Sequence, residues 1–354
     1  MKGFSQKALK FLGFLTIGII LLYFAFKGIN LENIFIEIKN AKYSWILLSL
    51  LFAVIALFSR AHRWNLIIEP LGYKPSYWNT FYAMMTGYLA NFIFPRIGEI
   101  TRCASLTKTE KIPVDKLIGT VIVERIVDLA SLFTLLIFLL VMKFDTFGNF
   151  LHNNIYLSFR EKITNLLGFS WIIWIIIVGL IITFILLYFL VFRESLSKIK
   201  SFNKMKNILK GIADGLKTVY KMKRRVEFLL HTIFIWSMYL FMSWVMVFAL
   251  PSTSGLKLID GLFLLVIGGL GMSAPVQSGI GAYHWIVSRG LVSVYPNINL
   301  ENALAFATIS HGFQAIALIL LGSFSLFMLF YRKNEGNSSL DLLTEPMEIN
   351  SHTA

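Results

Sequence analysis

Long apolar runs recur through this chain and leave it few ways to fold: Ala8–Phe26, Ser44–Phe58, Lys116–Val141, Trp171–Phe192, Phe228–Leu250, Leu258–Ala274 and Ala303–Phe330. A helix needs about 20 predominantly apolar residues to cross the hydrocarbon core of a bilayer. Inside lipid, backbone polar groups must be satisfied within the segment itself, so runs of this kind become helices. Charged residues make up only 15% of the chain, against about 25% in soluble domains. The sequence therefore reads as an all-α integral membrane protein, a polytopic helical bundle. One membrane domain over 1–331 uses nearly all of the 354 residues and leaves no room for a soluble catalytic domain, which normally takes about 100 residues or more. The polar end, 332–354, carries Glu335, Asp341, Glu345 and Glu348 and reads as a disordered cytoplasmic tail.

Charge sets the expected topology, because Lys and Arg collect on the cytoplasmic side. Lys2, Lys7 and Lys10 put the N-terminus inside, ahead of an uncleaved first span at about 8–27. The second span, about 43–64, returns to Arg60 and Arg63, read as membrane-surface residues. Residues 193–225 hold eleven Lys or Arg and must also be cytoplasmic. Working back through spans at about 169–192 and 116–142 places Lys116 inside as well. Residues 78–105 then enter and leave on one side, as a re-entrant hairpin. The same reasoning makes 258–290 a second hairpin, entering from outside between spans at about 228–250 and 302–331, with the C-terminus inside. Each half has the order span, broken hairpin, span, in opposite orientation, and such inverted repeats build midplane binding sites in transporters. The cell membrane is the expected location.

The first hairpin breaks at Asn91-Phe-Ile-Phe-Pro95-Arg96-Ile-Gly98-Glu99-Ile-Thr-Arg102. Pro removes a backbone donor and Gly weakens the helix. Irregular backbone at bilayer depth is tolerated only inside protein or beside a wet cavity, and charges at that depth mark functional sites. Arg96, Glu99 and Arg102 are spaced by three, and the next span adds Glu124, Arg125 and Asp128. Guanidinium groups match phosphate with paired, charge-assisted hydrogen bonds. These six residues are the expected lipid-headgroup site, with Arg96, at the break, its first contact. A purely structural reading, in which the charges neutralise one another to pin the hairpin, stands beside it.

Pro95-Arg96-x-Gly98-Glu99-x-x-Arg102, Glu124-Arg125-x-x-Asp128, Ala274-Pro275-x-x-x-Gly279-x-Gly281 and Arg60-x-x-Arg63-Trp64 together resemble a flippase-like membrane family. It includes the membrane part of bacterial lysylphosphatidylglycerol synthases and archaeal proteins linked to lipid-linked glycosylation. The resemblance covers roughly residues 10–330 and implies a membrane phospholipid or polyprenyl-phosphate lipid as ligand. It also implies a lipid synthase or glycosyltransferase as a partner. Many members carry an acidic residue shortly after the glycines, whereas this chain has Ala282-Tyr283-His284, so a proton-coupled role does not transfer to His284.

In the second hairpin, Pro275, Gln277, Gly279, Gly281 and His284 offer backbone amides and neutral polar groups in place of charge. Gly268-Gly269-x-Gly271 reads as close helix packing. Ile199 onwards places Phe202, Met205, Ile208, Ile212, Leu216 and Val219 on one face among Lys198, Lys204, Lys206 and Lys210, a basic amphipathic helix suited to anionic lipid. The single Cys103 permits no intrachain disulfide, and the histidines show no metal-binding spacing such as H-x-x-x-H. No cofactor, metal or nucleic-acid partner is expected, and the oligomeric state stays open. The leading function is a flippase-like lipid transporter. Two alternatives stand beside it: a membrane partner presenting lipid to a separate synthase or glycosyltransferase, and a membrane-embedded lipid-modifying enzyme using Glu99 or Glu124 as general base.

Overall fold

In the computed structural model of the protein, residues 31–143 and 222–344 are described, together with positions 16, 19, 20, 22, 23, 25 and 26; for 332–344 the description is of backbone alone. Most of the expected span 8–27, the span 169–192, the segment with Lys198, Lys204, Lys206 and Lys210, and residues 345–354 lie outside the described residues.

The described regular structure is helical throughout. In chain order it runs α1 (Leu31–Lys39), α2 (Tyr43–Ile68), α3 (Tyr77–Ile93), α4 (Gly98–Glu110), α5 (Val114–Met142), α6 (Arg225–Met246), α7 (Leu258–Met272), α8 (Ala282–Val294) and α9 (Leu300–Thr344). Among the described residues, four stretches are long and apolar enough to cross a membrane: Tyr43–Leu71, Val114–Met142, Arg225–Ala249 and Leu300–Tyr331. They expose Leu47, Phe133, Ile137, Ile233, Leu320 and Phe327, an apolar exterior of the kind that lipid covers. The last helix is continuous through Thr344.

Between the long helices lie two pairs of shorter ones. The α3 helix stops at Ile93, Phe94 is extended, Arg96 takes a left-handed φ of 60°, and α4 starts at Gly98. Pro95 thus sits in the break, where its missing N–H costs nothing. The Gly98 N–H donates to Asn91 Oδ1 at 2.8 Å and ties the turn. A Cβ on Gly98 would fall 2.1 Å from the Gly87 carbonyl oxygen, so the two helices meet where neither residue has a side chain. Their outer ends are joined too. Glu110 accepts from the Ser76 N–H at 3.0 Å and from Asn79 Nδ2 at 2.7 Å.

The α7–α8 pair follows the same plan with different chemistry. Its break holds Ser278, Gly279 and Gly281 at positive φ. A Cβ on Gly271 would sit 2.8 Å from Tyr283 Cα and one on Gly268 3.0 Å from the Tyr283 ring, so small residues do permit the close approach of α8. At the outer ends, Tyr295 donates to Asp260 at 2.6 Å, and Lys143 pairs with the same carboxylate.

The α5 helix links the two pairs. Its 29 residues span about 43 Å at 1.5 Å per residue. Lys116, near its start, donates to Tyr73 just ahead of α3 at 3.2 Å, whereas Lys143, just past its end, holds Asp260 at the head of α7. The inner turns of the pairs touch each other, with Arg96 Nη2 donating to the Ser273 carbonyl at 2.8 Å. The scaffold around them is α2 packed along α6, exemplified by Ser49 Oγ donating to the Met242 carbonyl at 2.9 Å. The buried Ala303–Ala307 stretch of α9 forms one core with Ile46, Met246, Val287 and Leu291.

Candidate functional site: a buried arginine and carboxylate cluster

The C-terminal half of α2, the middle of α4 and the first half of α5 converge on one carboxylate. Glu124 is fully buried and faces three guanidinium groups: Arg60 in direct contact, Arg102 at 2.9 Å and Arg63 at 3.6 Å. One helical turn on, Asp128 pairs with Arg63 at 2.7 Å and with Arg60 at 3.3 Å. Arg60 and Arg63, spaced by three on α2, meet Glu124 and Asp128, spaced by four on α5, so each element presents a matched face. An unpaired charge there would cost several kcal/mol, and this ladder is what lets both helices carry charge at depth.

Neutral groups hold the arginines in place. The Arg102 guanidinium lies over the Trp64 ring at 4.6 Å, and Trp64 Nε1 donates to Thr120 Oγ1 at 2.8 Å. Arg60 donates to the Tyr239 hydroxyl at 3.1 Å and sits 5.8 Å from the centre of Tyr88. Arg63 donates to Thr232 at 3.4 Å. The charges do not balance. Among the described residues, three guanidinium groups meet two carboxylates, an excess of one positive charge. Arg60 Nε, Arg63 Nε and both Nε and Nη2 of Arg102 are buried with no hydrogen-bond acceptor among the described residues. Arg102 Nη1 and Glu124 Oε2 form an ion pair at 2.9 Å without a hydrogen bond, and Oε2 has no donor among the described residues.

The six residues read from the sequence therefore divide. Arg102, Glu124 and Asp128 form the buried cluster. Glu99 and Arg125 pair with each other at 2.7 Å, with side chains 37% and 43% exposed. Arg96 does not join them: it is exposed and reaches across to Ser273, because its left-handed backbone turns the side chain toward the second helix pair. Arg60 and Arg63, expected at the membrane surface, are buried at the centre of the cluster. Their R-x-x-R spacing was visible, but which way that face of α2 points is fixed only by packing against α5 and α6.

In the second helix pair, Gln277, Gly279 and His284 are buried, while Pro275 is exposed. His311 Nε2 donates to the Ser278 carbonyl at 2.9 Å, and its ring lies 5.1 Å from that of His284. Gly281, at φ 82°, opens α8 ahead of His284. Arg96, donating to the Ser273 carbonyl, bridges the first helix pair to this region.

A third constellation was missed from the sequence. His62, Glu227 and His231 place one ligand atom each within 4.8 Å of one another. A search for two histidines on one helix could not find it, because the pattern is Glu227-x-x-x-His231 on α6 completed by His62 on α2.

Residues 11–322 match the family described as the lysylphosphatidylglycerol synthase TM region. Among curated proteins, UPF0104 membrane protein MJ1595 of Methanocaldococcus jannaschii is 31% identical over 105 residues. That alignment covers 29% of this chain and 31% of the relative. No solved structure matches the chain significantly.

Proposed function

Because the chain belongs to the lysylphosphatidylglycerol synthase transmembrane-region family, we propose that it is a multi-pass membrane lipid transporter that binds a phosphate-bearing headgroup at the Arg60–Arg63–Arg102 cluster. The observation that carries this reading is that, among the described residues, the cluster has an excess of one positive charge and buried guanidinium N–H groups without an acceptor. A phosphate oxygen is the acceptor such groups suit best, since it takes paired charge-assisted bonds. Phospholipid and polyprenyl-phosphate lipids share that group. Access follows the seam between α4 and α5, where the half-exposed Glu99–Arg125 pair and Asp128, 17% exposed, lead inward to the buried arginines.

The re-entrant, inverted-repeat architecture belongs to the same proposal. Three contacts support it: Glu110 joins the outer ends of α3 and α4, Asp260 joins those of α7 and α8, and Arg96 meets Ser273 between them. With the outer ends at opposite ends of α5, two hairpins would enter from opposite membrane faces and meet tip to tip. Broken helices meeting near the midplane are the usual hinge of alternating access. The termini and the 60–75 and 104–116 segments would then be cytoplasmic.

A catalytic role for Glu124 is disfavoured by the same geometry, since its oxygens already face guanidinium groups. Transport is tested in vesicles containing purified protein and two fluorescent lipids with equal chains, one with a phosphate-bearing headgroup and one without. Protein-dependent movement of the phosphate-bearing lipid alone is expected. Movement of neither lipid, or of both equally, would count against the reading.

A further inference from the structure

We propose that His62, Glu227 and His231 form a binding site for a divalent transition-metal ion, Zn2+ being its natural occupant, which clasps α2 to α6. Glu227 and His231 lie one turn apart and project from the same face of α6. His62 faces them from α2, its Nε2 at 2.8 Å from Glu227 Oε1, and the two imidazole rings are 4.6 Å apart. Four-coordinate zinc holds N and O ligands at about 2.0–2.2 Å, which sets them about 3.4 Å from one another. The three ligand atoms, all within 4.8 Å, reach that spacing by side-chain rotation.

Two further features fit a metal better than a simple ion pair. His231 Nδ1 is held by Ser59 Oγ at 2.7 Å. That bond fixes the ring and leaves Nε2 free, the usual support of a metal-bound histidine. Two imidazoles and a carboxylate also form a recognised zinc ligand set with a fourth position open to water. The side chains of His62 and Glu227 are each 34% exposed, so an ion can enter from solvent.

Arg224 is the competitor. It grips Glu227 through Nε at 2.7 Å and Nη2 at 2.6 Å. Its side chain is 48% exposed, and Glu69 lies 3.5 Å from its Nη1, so it has a second carboxylate to pair with when a metal takes Glu227. The ion would sit beside the arginine cluster, because His62 is followed by Arg63, and Arg63 itself reaches Thr232 on α6. A bound metal would thus fix the register of the two helices that carry the cluster's frame.

The test uses the full chain in detergent, without a polyhistidine tag and stripped by chelator. Zn2+ affinity is read by competition with a chromogenic chelator, and geometry by the visible spectrum with Co2+. One saturable Zn2+ per chain is expected, with an intense four-coordinate Co2+ spectrum. His62→Ala and His231→Ala should each lower affinity at least tenfold. Should an alanine variant fail to fold, His231→Gln keeps a polar partner for Ser59 and still removes the ligand. Arg224→Ala should tighten binding by about two- to fivefold, the equivalent of losing one exposed ion pair. No saturable binding overturns the proposal. So does binding unchanged by both histidine substitutions, or weakened by Arg224→Ala.

Discussion

Glu124→Gln removes the negative charge on which three arginines converge while keeping size and one acceptor oxygen. Glu124 is fully buried against Arg60, Arg102 at 2.9 Å and Arg63 at 3.6 Å. Breaking a buried pair by neutralising one partner costs about 3–5 kcal/mol. Asp128 still compensates Arg60 and Arg63, so the lower end applies, about 3 kcal/mol. That corresponds to a roughly 100-fold fall in the ratio of folded to unfolded protein. Equilibrium unfolding in mixed micelles, followed by tryptophan fluorescence, measures it directly. The substitution also raises the excess charge from one to two, so a phosphate-bearing lipid should stabilise the variant more than the parent. Glu99→Gln is the internal control, because its partner Arg125 is 43% exposed and such pairs contribute about 1 kcal/mol or less. A Glu124→Gln protein as stable as the parent, or one that gains nothing extra from anionic lipid, would refute the reasoning.

Gly98→Ala would drive a Cβ to 2.1 Å from the Gly87 carbonyl, and overpacking of this kind costs about 1–3 kcal/mol. Folded yield should drop for Gly98→Ala and hold for Gly119→Ala, which meets nothing within 4 Å. Arg96→Lys loses the fork that reaches Ser273, so transport in vesicles should slow while lipid-dependent stabilisation persists; loss of stabilisation instead would return Arg96 to the headgroup site. Single cysteines at the exposed positions Ser76 and Lys111, in a Cys103→Ser background, should label from the same side of the membrane, and labelling from opposite sides would remove the first re-entrant hairpin.

The four long apolar helices and the breaks between shorter ones were legible because each is local chemistry. Apolar runs report spans, and Pro95, Gly98, Gly279 and Gly281 report breaks. Glu124 and Asp128 announced themselves as carboxylates inside an apolar run. What could not be read was which charge meets which. Arg60 and Arg63 stand at the end of an apolar run and looked like surface residues, yet the rotation of α2 against α5 buries them. Arg96 looked central because it sits at the break, but a single left-handed φ sends it to Ser273. His62 lies 165 residues before Glu227, a separation no spacing rule can bridge.

The central claim is that the buried arginines bind a headgroup phosphate. Its most direct measurement is the rise in melting temperature that phosphatidylglycerol produces over diacylglycerol with the same chains, for the parent protein and for Arg102→Lys. Lysine keeps the charge but loses both the planar fork and the stack on Trp64. The increment, and not the starting temperature, is the quantity to compare, since a buried substitution shifts the baseline. A clear phosphate-dependent rise in the parent that disappears in Arg102→Lys is the predicted result. An equal rise in both proteins, or no difference between the two lipids, would contradict the account and leave the cluster as a strut between helices.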